Sequence, residues 1–230
     1  MGNPANKRTE TVQAVLIALL AALILRQFVV AAYKIPTGSM EDTLLVGDYL
    51  LVNKFIYGAT SPDWIGLPFT RGSDWMIPTG WTIPEALHFR TPAVTAPTAG
   101  DVLVFKFPLN PRRDYIKRCM AIGGQLIEGR GRTVFVDGVP QPDPPTLKFT
   151  PDPLPGLTPQ DFGPHRVREQ HYFMMGDNRD NSSDSREWGE VPAANLVGKP
   201  LIVYLSLNEG DAPLNLFNMV RWERLGMVVK

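Results

Sequence analysis

The chain has 230 residues, of which 23 are basic and 23 acidic, so its formal net charge at pH 7 is zero. This length can bury a hydrophobic core in one or two domains, and the balanced charge gives no indication of nucleic-acid binding. Because Cys119 is the only cysteine, the chain can form no disulfide within itself. The 22 prolines and 20 glycines are high for a helical protein and favour short strands joined by turns.

The first element in chain order is an unbroken apolar run over residues 14–25. This run alone is too short to span a bilayer, which needs about 20 residues. Counting residues 11–32 gives 22 positions, which is enough if the side chain of Arg26 extends to the membrane interface. The sequence therefore predicts one membrane-spanning helix near the N-terminus.

A cleaved secretory signal is the alternative for the same segment, with cleavage near Ala31 and Ala32. We favour a retained anchor, because the apolar character continues through Val30, further than a signal sequence requires. Lys7 and Arg8 precede the anchor, so the positive-inside tendency places the N-terminus in the cytoplasm and the remainder of the chain outside.

Beyond residue 34 the sequence contains several strand candidates, which are apolar segments bounded by turn residues. Asp137 and Gly138 follow one of them and predict a hairpin turn. A short helix is expected only within residues 214–227. The predicted strands are residues 49–55, 101–107, 114–122, 132–136, 171–175 and 196–207.

Two proline-rich segments, residues 58–100 and 139–164, are predicted to be surface insertions. The first contains Trp64, Trp75 and Trp81, which either lie in the membrane interface or pack into a lid on the domain itself. The predicted organisation is therefore a cytoplasmic N-terminus at residues 1–10, a transmembrane anchor at 11–32 and an extracytoplasmic domain at 33–230 that carries both insertions.

Ser39 lies in the segment I-P-T-G-S-M, in which the proline fixes the backbone and the glycine lets it bend. A plain structural turn can have the same residues, so the motif alone does not establish a nucleophile. A catalytic serine also needs a base. His88, His165 and His171 have neither a triad context nor metal-ligand spacing, so the sequence indicates no metal and no other cofactor.

Lys117 is the remaining candidate base, because it lies inside an apolar predicted strand. Lowering the pKa of its amine from about 10.4 to near 7.5 costs about 4 kcal/mol, which burial can supply. The neighbouring Arg118 would lower the pKa further if the two cations lie close together. Lys117 would then be neutral often enough to accept a proton from a serine.

Residues 176–186 form the polar segment G-D-N-R-D-N-S-S-D-S-R, which suits either a solvated acidic turn or a loop held by its own Asp–Arg pairs. In order after the anchor, I-P-T-G-S-M, T-L-L-V-G-D, G-D-V-L-V-F-K-F-P, D-Y-I-K-R and this segment resemble bacterial type I signal peptidase, also called leader peptidase. The resemblance covers most of residues 33–203 except the two insertions. It implies an antiparallel β-sheet catalytic domain with a smaller, variable β cap.

By this resemblance Ser39 is the nucleophile and Lys117 is the general base. Ser182 would orient Lys117, and the hydroxyl of Thr37 would join the Ser39 N–H in stabilising the oxyanion. The resemblance also implies two larger sets of residues. Those matching the substrate pockets are Tyr33, Ile35, Met40, Leu44, Leu50, Val104, Tyr115 and Ile116. Those matching structural ion pairs are Asp177, Arg179, Asp184 and Arg186.

The sequence departs from the family pattern at two turns. Asp42 stands where the family often has proline, with Glu41 beside it, so two carboxylates lie close to the predicted nucleophile. After D-Y-I-K-R, residues 119–125 lack the proline and aspartate that the family often has in the following turn. These departures leave the backbone stiffness near Ser39, and the substrate preference, open.

The implied activity is removal of signal peptides from exported preproteins after small residues (Ala-X-Ala). The implied location is the bacterial inner (cytoplasmic) membrane, with the catalytic domain on the periplasmic side. The expected partners are preprotein signal peptides and membrane lipid, with no nucleic acid. Two alternatives stay open, which are a Ser/Lys maturation protease with one dedicated substrate and an inactive membrane-tethered scaffold of a secretion complex.

Overall fold

The computed structural model describes residues 4–61, 64–66, 80–149, 160–208 and 219–230. The chain begins with helix α1 (Pro4–Phe28). Its window Thr9–Arg26 is long and apolar enough to cross a membrane, and none of that window is buried against the rest of the chain. The helix is therefore not a core helix of the folded domain, which leaves its apolar side chains available to another apolar medium.

The end of this helix corrects the predicted span. The helix was expected to continue through Val30 to residue 32, but it ends at Phe28 and the chain enters strand β1 (Val30–Lys34). Val30 pairs with Asn53 and Ala31 with Val52 in strand β2 (Asp48–Asn53). Apolar composition does not distinguish a helix from an apolar strand that directly follows it, so only the backbone partners in β2 reveal the boundary.

The remaining elements are mostly short strands. In chain order they are β3 (Trp64–Gly66), β4 (Gly80–Thr82), β5 (Val102–Phe107), β6 (Asn110–Ile122), β7 (Leu126–Arg130), β8 (Thr133–Val136), β9 (Val139–Pro140), β10 (Phe162–Arg166), β11 (His171–Met175), helix α2 (Ser185–Trp188), β12 (Val191–Pro192) and β13 (Leu196–Ser206). Four 3-10 turns complete the described part of the chain, at Gly38–Met40, Glu85–Leu87, Ala193–Asn195 and Trp222–Arg224.

The strands form a seven-stranded sheet in the order β1-β2-β13-β5-β6-β11-β12 and a four-stranded sheet in the order β10-β7-β8-β9. Every named strand pair is antiparallel. The mainly β, antiparallel fold with a smaller β cap and one N-terminal apolar helix is thus confirmed. The four-stranded sheet includes β9 and β10, so both ends of the predicted insertion 139–164 are built into that cap.

All six predicted strands are present, with boundaries within a few residues of those expected. The other strands were not predicted from the sequence; they are β1, β3, β4, β7, β9, β10 and β12. Of the helix expected within residues 214–227, the described part contains the 3-10 turn Trp222–Arg224, and residues 214–218 lie outside the described residues. Trp75 of the first insertion also lies outside them.

The large sheet curls strongly, and this curvature positions the site. Tyr33 on β1 donates a hydrogen bond of 3.1 Å to the Asp114 carboxylate on β6, although three strands separate β1 from β6 in the sheet. A buried apolar cluster fills the concave side, with Tyr33 and Ile116 packed against it. The cluster contains Ile35, Met40, Leu44, Leu50, Val52, Val102, Val104, Val203 and Val229.

Candidate active site

Ser39 lies in the short 3-10 turn Gly38–Met40, directly after the chain leaves β1. Met40 is fully buried in the apolar cluster beneath the turn, which holds the turn against the sheet. Thr37 precedes the turn in an extended conformation, and its side chain makes no capping hydrogen bond there. Thr37 and Ser39 both line the same groove.

Lys117 approaches Ser39 from β6 across the groove. Its Nζ lies 2.5 Å from the Oγ of Ser39, within hydrogen-bonding distance. The residue is 4% exposed, and its ammonium nitrogen lies 5.6 Å from the ring centroid of Tyr115. Strand β6 thus places a buried amine against the Ser39 hydroxyl, in a groove that both residues line.

Burial lowers the pKa of Lys117 from 10.5 to about 8. The cation of Arg186 lowers this pKa as well, whereas the carboxylates of Asp184 and Asp177 raise it. Arg118, which was expected to contribute, instead pairs with Asp177. At pH 7 about a tenth of the Lys117 amines are consequently neutral, and a neutral amine can accept the proton of a serine hydroxyl.

Ser182 reaches the same site through a close approach at Gly176. A Cβ atom added to Gly176 would collide with the Oγ of Ser182 and with the main-chain oxygen of Ser39. Ser182 is 3% exposed, so its hydroxyl is enclosed within the site rather than on the surface. Only glycine at position 176 allows the nucleophile turn and the 176–186 segment to pack this closely.

Asp177 forms an ion pair beside the site with a residue outside the polar segment. Asp177 pairs with Arg118 through two hydrogen bonds of 2.8 and 2.6 Å, and its Oδ2 also accepts a 2.5 Å bond from Thr43. Arg118 follows Lys117 on β6, and consecutive strand residues point to opposite faces. Lys117 therefore faces the groove, whereas Arg118 points to the opposite face of β6 and reaches Asp177. The alternation was readable in the sequence, but the pairing with Asp177 was not predicted.

Arg179, which the resemblance places among the structural ion pairs, lies in the same polar segment as Asp177. Within the described part of the chain its buried guanidinium makes no salt bridge, and its Nε and Nη1 have no hydrogen-bond partner. Burial lowers the pKa of this guanidinium. Asp184 and Arg186 do pair with each other, at 2.8 and 2.7 Å, and their side chains are fully buried.

The groove that contains Ser39 and Lys117 has a volume of about 660 Å³. Of the eight residues expected in the substrate pockets, Tyr115 and Ile116 line it directly. Ile35, Met40, Leu44, Leu50 and Val104 lie in the apolar cluster instead, at most 3% exposed, and Tyr33 packs at its edge. These buried side chains form a filled floor under the groove rather than its open wall.

Several lining residues were not predicted from the sequence. They are Pro36, Gly38, Arg113, Asp114, Asn181 and Ser183. Asn181 and Ser183 flank Ser182 in the polar segment, and Asp114 directly precedes Tyr115, so their neighbours were the available signal. Which of these residues line the groove depends on how the separate segments pack together.

Strands β1 and β6 lie beside the groove. β1 is an edge strand of the large sheet and pairs with β2. Residues 114–117 of β6 pair with β5 on one side, whereas β11 joins β6 only from Arg118 onward. The edge of a sheet is where an extended peptide can add as a further strand, through main-chain hydrogen bonds.

A serine hydroxyl in contact with a buried lysine amine, in a groove beside the edge of a sheet, is the arrangement of a serine hydrolase that acts on peptides. Comparison with known proteins agrees. Residues 8–205 match the family "Signal peptidase, peptidase S26". The signal peptidase I of Pseudomonas aeruginosa is 30% identical over 250 residues, covering 91% of this chain and 75% of that protein.

The signal peptidase I of Aquifex aeolicus is 29% identical over 241 residues, covering 82% of this chain and 80% of that protein. A crystal structure of a signal peptidase I from Enterococcus faecalis aligns with a TM-score of 0.36 at 25% identity, over 46% of this chain and 97% of that one. The chain belongs to the signal peptidase family, peptidase S26, and is a serine peptidase.

Proposed function

We propose that this chain is a membrane-anchored endopeptidase that removes signal peptides from exported preproteins, with Ser39 as nucleophile and Lys117 as general base. The observation that carries the proposal is the 2.5 Å contact between the Lys117 amine and the Ser39 hydroxyl. The burial of Lys117, which lowers the pKa of the amine to about 8, also supports the proposal. Membership of the signal peptidase family gives the substrate class.

The reaction follows from these positions. Neutral Lys117 takes the proton of Ser39 as Oγ attacks the scissile carbonyl, and the resulting oxyanion accepts hydrogen bonds from the Ser39 N–H and the Thr37 hydroxyl. Protonated Lys117 then donates to the leaving amine, which releases the mature chain and leaves an acyl ester on Ser39. Lys117 activates a water for the hydrolysis of this ester, and Ser182 holds the amine in place.

Cleavage after Ala-X-Ala fits the filled floor of the groove. A peptide extended between β1 and β6 points alternate side chains downward, toward the apolar cluster. Met40 and Leu44 in that cluster are fully buried, so little depth is left for a substrate side chain. Small residues such as alanine are accommodated there without displacing the core.

We propose a single span in the bacterial cytoplasmic membrane, with the N-terminus in the cytoplasm and the catalytic domain on the other side. The apolar helix α1 supports this, together with the apolar surface where it ends. Phe28 at the helix end stacks on Phe89 with ring centroids 6.1 Å apart, and Trp81, Leu87 and Phe89 are all more than half exposed. Exposed aromatic residues beside a spanning helix suit the membrane interface.

Preprotein cleavage by membranes that contain Ser39→Ala or Lys117→Ala tests the dyad. Both variants are expected to lose activity by at least about a thousand-fold, because neither residue can substitute for the other. Lys106→Ala on the neighbouring strand β5 is the matched lysine control and should cleave normally. Cleavage by both site variants at the wild-type rate would refute the Ser/Lys mechanism.

A panel of unrelated preproteins separates the proposal from its alternatives. Cleavage of most of them after Ala-X-Ala supports a general signal peptidase. Cleavage of one precursor alone would indicate a dedicated maturation protease, and no cleavage by the wild-type protein would indicate a scaffold.

A further inference from the structure

Lys148, in the second insertion (residues 139–164), contacts the 176–186 segment beside Ser39. The main-chain N–H of Lys148 donates to the carbonyl of Asp177, and its carbonyl accepts from the N–H of Arg179, both at 2.9 Å. Lys148 and Asn178 thus form a parallel bridge. This pair of main-chain bonds fixes the position of Lys148 independently of its side chain.

The side chain of Lys148 extends to the turn that carries Ser39. Its Nζ lies 3.2 Å from Oε2 of Glu41 and 3.8 Å from Oδ1 of Asp42. The same Glu41 oxygen accepts a 3.2 Å hydrogen bond from the side-chain amide of Asn178. Glu41 therefore joins an ammonium group from the insertion to an amide from the 176–186 segment.

Asn178 holds the backbone on both sides of the nucleophile. Its side-chain amide donates to the Gly38 carbonyl at 3.0 Å, and its main-chain N–H donates to the Ser39 carbonyl at 3.2 Å. The Gly38 carbonyl and the Ser39 N–H belong to one planar peptide unit and point in opposite directions. Fixing that carbonyl consequently aims the N–H that would bind the oxyanion.

The turn after Ser39 needs such contacts because its backbone is unusual. Asp42 has a φ of +73°, a left-handed conformation that costs energy for any residue with a side chain. Proline, whose ring holds φ near −65°, could not occupy this position in the same turn. The stiffness that proline would supply at position 42 is thus replaced by contacts to neighbouring segments.

We propose that Lys148 is a positioning residue for the peptidase reaction. Through Glu41 it orients the Asn178 amide, and through that amide it sets the peptide unit that supplies the oxyanion N–H of Ser39. The inference rests on the proposed Ser39 mechanism. Thr146 makes a separate side-chain contact with Thr43, so the insertion stays docked when the charge of Lys148 is removed.

Kinetics of Lys148→Met on an Ala-X-Ala peptide substrate, measured with the full chain in detergent micelles, test this role. The ion pair is about 40% exposed, so kcat is expected to fall only about three- to five-fold, with KM unchanged. Lys148→Arg should restore kcat, and Glu41→Gln should lower it. Arg130→Met is the matched control, because it removes an exposed ion pair with Glu128 in the β cap.

Salt gives a second readout. Raising NaCl from about 0.05 to 0.5 M screens exposed ion pairs, so wild-type kcat should fall toward that of Lys148→Met while the variant changes little. A raised KM with unchanged kcat would overturn the proposal, because it would indicate a substrate contact instead. Unchanged kcat and KM would overturn it as well.

Hydrogen–deuterium exchange of residues 36–44 keeps the test independent of the reaction. Exchange there should be faster in Lys148→Met and Glu41→Gln than in wild type and Arg130→Met. Equal exchange in all four proteins refutes the positioning role even if Ser39 is the nucleophile. Faster exchange combined with an active Ser39→Ala variant would leave the role in the turn standing and refute the proposed mechanism.

Discussion

The turn that carries Ser39 and the strand that carries Lys117 are held by different kinds of contact. Lys117 lies within β6, where a ladder to β5 and full burial determine both its position and the pKa of its amine. Ser39 lies in a three-residue turn that is held by Met40 below and by Asn178 beside it. Lys117 must be buried and rigid for its pKa to be lowered, and the β6 strand provides this. Ser39 must stay accessible to a substrate, and the short turn leaves it so.

Asp177 connects the strand to the chain that follows the nucleophile turn, since it binds Arg118 of β6 and Thr43. Arg118→Met would leave the buried Asp177 carboxylate without its hydrogen-bonded ion-pair partner, and we expect a loss of roughly 3–5 kcal/mol in the free energy of unfolding. Arg179→Met should cost far less, because its guanidinium makes no ion pair among the described residues. Denaturant unfolding measures both, and equal losses would contradict the assignment of the ion pairs.

The burial of Lys117 in β6 predicts how the free energy of unfolding changes with pH. Below pH 8 Lys117 is charged in the folded and unfolded states, so its burial costs about 3 kcal/mol, given a pKa lowered from 10.5 to about 8. Between pH 8 and 10.5 only the folded state loses this proton, and the cost disappears. Lys117→Met should therefore be more stable than wild type at pH 7, by a margin that shrinks as pH rises.

Thermal unfolding of both proteins from pH 6 to 10 measures that margin, with Lys106→Met as the control for removing a lysine that is less buried. A difference between wild type and Lys117→Met that stays constant over the whole range would contradict a lowered pKa.

The position of the turn that carries Ser39 depends on the close approach at Gly176. Gly176→Ala inserts a methyl group between Ser182 and the main-chain oxygen of Ser39, so the turn must shift. A displacement of about 1 Å at a catalytic group costs about a hundred-fold in rate, and we expect a loss of that order in kcat. Gly131→Ala, where a Cβ meets no neighbour but φ is +59°, controls for backbone strain alone and should keep wild-type kcat.

The dependence of activity on pH reports the base without any substitution. The value of kcat/KM should rise about ten-fold per pH unit below the pKa of Lys117 and level off above about pH 8. A midpoint near 6.5 would instead indicate a histidine. Arg186→Met removes a cation that lowers the pKa of Lys117, so it should move the midpoint upward.

Much of the fold could be predicted, because alternation and turn residues are local signals. The strands at 102–107 and 171–175 follow directly from such patterns. β1 was missed because its apolar residues continue those of the helix, and β10 because its segment is rich in glycine and proline. In both cases the strand depends on a partner elsewhere in the chain.

The sequence alone determined the family of this protein, the short turn at Ser39 and a lysine within an apolar strand. Those features depend on residue order over a few positions, which the chain fixes directly. Only the tertiary structure decided that Asp177 binds Arg118 and Thr43, which lie 59 and 134 positions away, and that Lys148 reaches Glu41. Such contacts depend on how the large sheet curls and how the insertion docks, because side chains interact through distances in space and not along the chain.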